Sequence, residues 1–314
     1  MNFLKNWIPY QIKHQDNNWI INWLDLADRD IVEPFFDETI SICRSRMLER
    51  SKFASQSSTD FLIEAAADTD SVMPTAFIFH VSRCGSTLLS QALTTHYNNI
   101  VIAEAPLFDE ILRAQEQDSA IGLEEIEQIF KAAVTMMGQQ RHRQKKQYYI
   151  KFDSWHLHFY PQLRKWFPNT PFYFLSRVPN EVISSHTKRR GIHAIPNYIN
   201  PRLLRVDPDE RHTYDFNFYT SAVLKGFYET MFNIVNKKNP LNRFFDYSWG
   251  MNQMVDDFYK TIAVEADLTL TKERLSYHSK FPEQRFSEEK STISPEDYPD
   301  ATQAYKKLLS MIQL

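Results

Sequence analysis

Residues 76–93 read A-F-I-F-H-V-S-R-C-G-S-T-L-L-S-Q-A-L, and the six from 82 to 87 carry the groups an oxyanion needs. Arg83 offers a fixed positive charge, Gly85 a backbone free to turn tightly, and Ser86 and Thr87 hydroxyl donors. Ahead of them an aliphatic and aromatic run suits a buried strand. Behind them Leu88, Leu89 and Leu93 fall at helical spacing. A strand that hands over to a helix through such a loop turns the helix's unpaired N–H groups, and the positive end of its dipole, toward an anion. The expected ligand is therefore a phosphate or a sulfate.

Two familiar phosphate loops are excluded by single residues. A Walker loop needs lysine directly after its second glycine, where this chain has Ser86 after Gly85. A cysteine phosphatase needs arginine six places after Cys84, where Ser90 stands, so Cys84 is read as a small buried side chain. Further polar groups fall at the ends of other apolar runs: Glu104 after 100–103, Lys151 within 148–152 with Asp153 beyond it, and Arg177 after 171–175. Ser185 follows Arg177 by eight residues, about two turns into a helix that Pro179 opens, so both could grip one phosphate if the loop folds back.

These runs alternate with helical patterns, which predicts an α/β fold with a right-handed parallel sheet and ligands at the carboxyl ends of its strands. Residues 1–70, with Trp7, Trp19, Trp23 and a helix from Glu33 or Pro34, are expected to form a mostly helical extension of an α/β domain spanning 71–314. The basic run 141–147 is expected to be the solvated, cationic end of a helix over 123–140.

The whole chain has 314 residues, 43% of them hydrophobic, with 36 Lys and Arg against 39 Asp and Glu, a net charge of −3. That balance argues against nucleic acid or an acidic membrane surface as partner. No signal-peptide core or membrane-spanning run is evident, and the two cysteines, Cys43 and Cys84, suit a reducing compartment, so a cytoplasmic protein is expected.

Taken together, R-C-G-S-T at 83–87 and R-V-P-N-E-V-I-S-S at 177–185 resemble the two donor-binding motifs of sulfotransferases that use 3′-phosphoadenosine 5′-phosphosulfate. The resemblance, over roughly 76–250, implies a three-layer fold with a central parallel sheet and P-loop-like topology. It implies that Arg83, Cys84, Gly85, Ser86 and Thr87 hold the 5′-phosphosulfate and that Arg177 and Ser185 hold the 3′-phosphate, with adenosine 3′,5′-bisphosphate as product and no metal. E-A-P-L-F-D at 104–109 is similar to the carbohydrate- and protein-modifying branch, where such a glutamate is the base, whereas the Lys-x-His of the cytosolic branch is Lys151-Phe152-Asp153 here. Glu104, Arg83 and Lys151 are the implied catalytic residues, and Asp153, His156 and His158 the rival bases. The acceptor is a hydroxyl- or amine-bearing molecule of unspecified class. Arg83 stands where lysine is common and Cys84 where a hydroxyl is common. Two other readings are a P-loop kinase or nucleoside triphosphatase with Asp153 as magnesium ligand, and a non-catalytic nucleotide-binding module.

Overall fold

In chain order the first strands are β1 (Trp7–Gln15), β2 (Asn18–Asp25) and β3 (Gln56–Ser58), with helix α1 (Phe36–Arg50) before β3 and α2 (Thr59–Ala67) after it. Next come β4 (Ala76–His80), α3 (Ser86–Leu93), β5 (Asn99–Ala103), α4 (Pro106–Leu112), α5 (Leu123–Met137) and β6 (Gln147–Lys151). The remainder is α6 (Tyr160–Trp166), β7 (Phe172–Ser176), α7 (Pro179–Lys188), α8 (Phe216–Val235), β8 (Asn242–Asp246), α9 (Met251–Ile262), α10 (Thr269–Arg274) and α11 (Pro299–Leu309). These elements belong to a computed structural model that describes residues 4–142, 144–285 and 291–312.

β1, β2 and β3 form an antiparallel sheet, and the other five strands form a parallel sheet in the order β5-β6-β4-β7-β8. The chain leaves β4 to one side for β5 and β6, then returns to the other side for β7 and β8. Its order therefore reverses at β4, and open α/β sheets bind ligands beside the carboxyl end of such a strand. All five residues of β4 are buried, as expected of a central strand covered on both faces. The backbone divides into two units, Met1–Phe77 with Ser90–Phe152, and Ile78–Leu89 with Asp153–Leu314.

In the first unit the N-terminal segment contains helices, as expected, but opens on a hairpin. Asp16 and Asn17 both lie at positive φ, +50° and +60°, and Gln15 pairs with Asn18 across them. That is the two-residue turn that matches strand twist, and Asp and Asn tolerate the left-handed backbone it requires. Ile8, Ile12, Ile21 and Leu24 are buried at 1% exposure or less. The basic run also departs from the expectation of a solvated end, since Arg141 and Lys145 are buried. Arg141 donates to the Arg29 carbonyl at 2.7 Å, Lys145 to the Asn99 carbonyl at 3.1 Å, and both face Asp30. A carboxylate and two backbone carbonyls make burial of those charges tolerable. An aromatic cluster, Phe77 on Phe152 and Phe108 on Phe130, fills the core beneath β6.

In the second unit Phe79, Phe174 and Phe244 stack in sequence, with centroids 5.1 Å and 4.7 Å apart. β7 and β8 pair from Phe172↔Asn242 to Ser176↔Asp246, and the buried Ser176 hydroxyl donates to Asp246 at 2.6 Å. That bond fixes the strand end from which Arg177 departs. α8, with eleven buried residues, packs against both α7 and α11.

Candidate functional site

The loop at 82–87 is built on a strained backbone. Ser82, Arg83 and Gly85 lie at φ +77°, +50° and +82°, and only glycine adopts this region freely. At Gly85 a Cβ would come within 2.9 Å of Met251 Sδ and 3.2 Å of Tyr247, and at its positive φ any side chain would be strained. Ser86 is buried at the first position of α3, and Cys84 is a free, buried thiol whose Sγ contacts the Leu175 carbonyl at 3.6 Å. Cys84 is thus packed beneath the loop, in line with the reading of a small buried side chain.

Side chains from α7 and its flanks fasten the loop. Arg177 donates from Nη1 to the carbonyl of Arg83 at 2.9 Å, from Nε to Glu181 at 2.7 Å, and lies 4.2 Å from the Tyr247 ring centre. Tyr228 holds the backbone there by donating to the Arg177 carbonyl at 2.6 Å. The Arg83 guanidinium itself donates to the carbonyl of Arg189. Ser185 lies half-buried on α7, about two turns beyond its start. The first motif and the start of the second, 94 residues apart in sequence, are therefore joined at Arg83 and Arg177.

Within the first unit Lys151, at the end of β6, forms an ion pair with Glu104 just beyond β5. The Lys151 side chain is fully buried, Glu104 is about a fifth exposed, and the Glu104 N–H donates to the Lys151 carbonyl at 2.8 Å. Glu104 is another non-glycine residue at positive φ, +53°, a conformation that concentrates at functional positions. Two groups from the N-terminal segment, neither read from the sequence as part of a site, lie near this pair. The Phe35 ring is 5.4 Å from the Lys151 ammonium, and the carboxyl of Asp37 is held above its ordinary pKa, by partial burial first and by Glu104 second.

The rival bases separate on geometry. His158 is buried, donor or acceptor to the Thr230 hydroxyl at 3.0 Å, and pushed down to about 3 by burial and by Arg205. His156 has no exposed surface at all. Asp153 is half-buried beside them in the second unit. Among the described residues no group of three or more His, Cys, Asp or Glu is placed to hold a metal, and no helix is long and apolar enough to cross a membrane.

No family model and no curated protein matches this chain. Among solved structures it is similar to a sulfotransferase of Mycobacterium avium, at 13% identity and TM-score 0.48 over 82% of each chain. It is also similar to one of Mycobacterium tuberculosis, at 10% and 0.45 over 79% of this chain and 81% of the other. A third is the sulfotransferase domain of the curacin biosynthetic pathway, at 14% and 0.42 over 78% and 93%. Superposition this loose assigns no residue a role.

Of the residues expected from sequence, Arg83, Cys84, Gly85, Ser86, Thr87, Arg177 and Ser185 all fall in the second unit, on one loop and one helix flank; Glu104 and Lys151 fall in the first, as a pair. Sequence reading missed Glu181, although it stands four residues after Arg177, the spacing of a helical ion pair. It also missed His186 and His80, whose partners lie 104 and 74 residues away.

Proposed function

We propose that this chain is a sulfotransferase that moves a sulfuryl group from 3′-phosphoadenosine 5′-phosphosulfate to an acceptor hydroxyl or amine. The observation that carries the reading is the hydrogen bond from Arg177 to the Arg83 carbonyl, which ties the two motifs of the donor site together. The residues fit such a donor. The loop over 82–87 offers left-handed turns, a glycine at a positive φ where a side chain would be strained, a buried serine at a helix start and two guanidiniums, of Arg83 and Arg177, fixed by hydrogen bonds, a cradle for an oxyanion.

When bound, the donor supplies an activated sulfuryl group and a nucleotide phosphate as leaving group. Arg83, Cys84, Gly85, Ser86 and Thr87 hold the 5′-phosphosulfate end, and Arg177 with Ser185 holds the 3′-phosphate. Arg177 keeps its place through Tyr247, Glu181 and the Arg83 carbonyl. Arg83 and Lys151 stabilise charge that spreads over transferring and departing oxygens, work that metal ions do in phosphoryl transfer. Glu104 accepts the acceptor's proton. Its pairing with a fully buried ammonium presents it as a carboxylate, and its left-handed backbone sets it apart from the strand it follows. The acceptor's orientation supplies the entropic part of the barrier reduction.

The domain that does this is 71–314 in our reading, with 1–70 as an extension that brings Phe35 and Asp37 toward Lys151 and Glu104. The free thiols are consistent with a cytoplasmic setting. Mass spectrometry of nucleotide that copurifies with the chain tests the donor. Adenosine 3′,5′-bisphosphate supports the reading, and a nucleoside triphosphate with magnesium overturns it.

A further inference from the structure

His186 on α7 has no exposed surface, yet both of its ring nitrogens are engaged. The Gly191 N–H lies 3.1 Å from Nδ1, and an N–H can only donate, so Nδ1 is the acceptor and the neutral ring carries its hydrogen on Nε2. Nε2 is 3.1 Å from the Ser82 hydroxyl and donates to it. Ser82 needs such a partner. It and Arg83 are consecutive non-glycine residues in the left-handed region, an unfavourable conformation that persists only when the surroundings over-determine it.

The surroundings do so from several sides. The Ser82 N–H donates to His80 Nδ1 at 3.0 Å, and since that nitrogen is an acceptor, the Ser154 hydroxyl at 3.1 Å also donates to it. The Arg83 side chain reaches the Arg189 carbonyl and its own carbonyl receives Arg177. His186 therefore stands at the joint between the loop at 82–83 and the turn at 189–191. Gly191 is packed so closely there that a Cβ would lie 3.3 Å from the His186 ring.

We propose that His186 is the positioning residue of the anion loop, holding Ser82 through Nε2 while Nδ1 holds the turn that closes α7, the helix that carries Ser185. This rests on the reading of the loop as the donor site. The ring acts as one donor and one acceptor across the working pH range, because burial, then His193, Arg83 and Arg190, push its pKa down to about 2. A protonated ring could not accept from Gly191.

Two substitutions separate the two nitrogens. His186→Gln carries an amide out to the place of Nε2 and can still donate to Ser82, whereas His186→Asn puts an acceptor near the place of Nδ1 and leaves Ser82 without its donor. In a Cys43→Ala background Cys84 is the remaining thiol, and it is buried beneath the loop. Its reaction rate with a thiol reagent reads the loop directly, whether or not nucleotide binds. The Asn variant should react about tenfold faster and bind adenosine 3′,5′-bisphosphate about tenfold more weakly, while the Gln variant stays near wild type in both. Ser82→Ala, which leaves the ring and Gly191 alone, should reproduce the Asn result and carries the test if His186→Asn does not fold. Equal protection of Cys84 in all variants, or a loop opened by Gln and not by Asn, overturns the proposal. If wild type binds no nucleotide but His186→Asn still exposes Cys84, the positioning role stands and the donor reading falls.

Discussion

In our reading Arg177 has two roles, and they can be told apart. Its guanidinium is assigned to a phosphate and also braces the Arg83 carbonyl. Arg177→Ala should weaken adenosine 3′,5′-bisphosphate by roughly 1.5–3 kcal/mol, with a much smaller loss for adenosine 5′-phosphate, as expected for one charge-assisted contact. Equal losses, measured by calorimetry, would leave Arg177 a brace alone. Glu104→Gln is nearly isosteric and cannot take a proton, so turnover should fall by about 10²–10⁴ with donor affinity retained. It also leaves the buried Lys151 without its counter-charge, a loss of order 3–5 kcal/mol in buried pairs, so the assay must be scaled to the folded fraction. Asp153→Asn is the control, and turnover that falls there and survives in Glu104→Gln would reassign the base. The residues on short motifs were legible in the sequence because loop and helix geometry is local. Asp37 beside Glu104, and His186 under Ser82, were not, because nothing in their neighbours records a partner 67 or 104 residues away.

At the level of elements, the runs at 100–103, 148–152 and 171–175 located β5, β6 and β7 to within one residue, since buried strands are short apolar runs. Sequence reading missed the N-terminal hairpin, whose aromatic and polar residues mix on both faces, although Asp16-Asn17 between two β-forming runs was a usable turn signal. It misjudged 141–147 because burial of Arg141 and Lys145 depends on Asp30, more than a hundred residues earlier. The hairpin is tied to α4 where the Ile12 N–H donates to Glu110 at 2.7 Å, and burial raises that carboxyl to about 7. A carboxyl raised in the folded state costs stability when ionised. The cost is absent below the unfolded value, grows through the window from there to about 7, and is complete above it. Glu110→Gln keeps an acceptor for Ile12 and removes the charge. It should raise the thermal midpoint at pH 8, by the equivalent of up to about 3 kcal/mol, and change it little at pH 4.5. An unchanged difference between the two pH values would show that the carboxylate is solvated in solution.

For the molecule as a whole, net charge is −3, yet Arg83 and Arg177 meet at the loop, so in our reading attraction for an anionic nucleotide is local rather than global. Binding to the folded chain alone should raise the thermal midpoint by mass action, worth about 2.7 kcal/mol at a hundredfold excess over Kd. In our reading arginine and lysine replace the metal, so excess chelator should leave that shift intact. The most direct test of the account is a calorimetric titration of the wild-type chain in chelator with adenosine 3′,5′-bisphosphate, repeated with adenosine 5′-phosphate, and then with ATP and magnesium without chelator. The account predicts that the bisphosphate binds more tightly than either alternative by about tenfold or more. Tighter binding of magnesium ATP, with no gain from the 3′-phosphate, would contradict it.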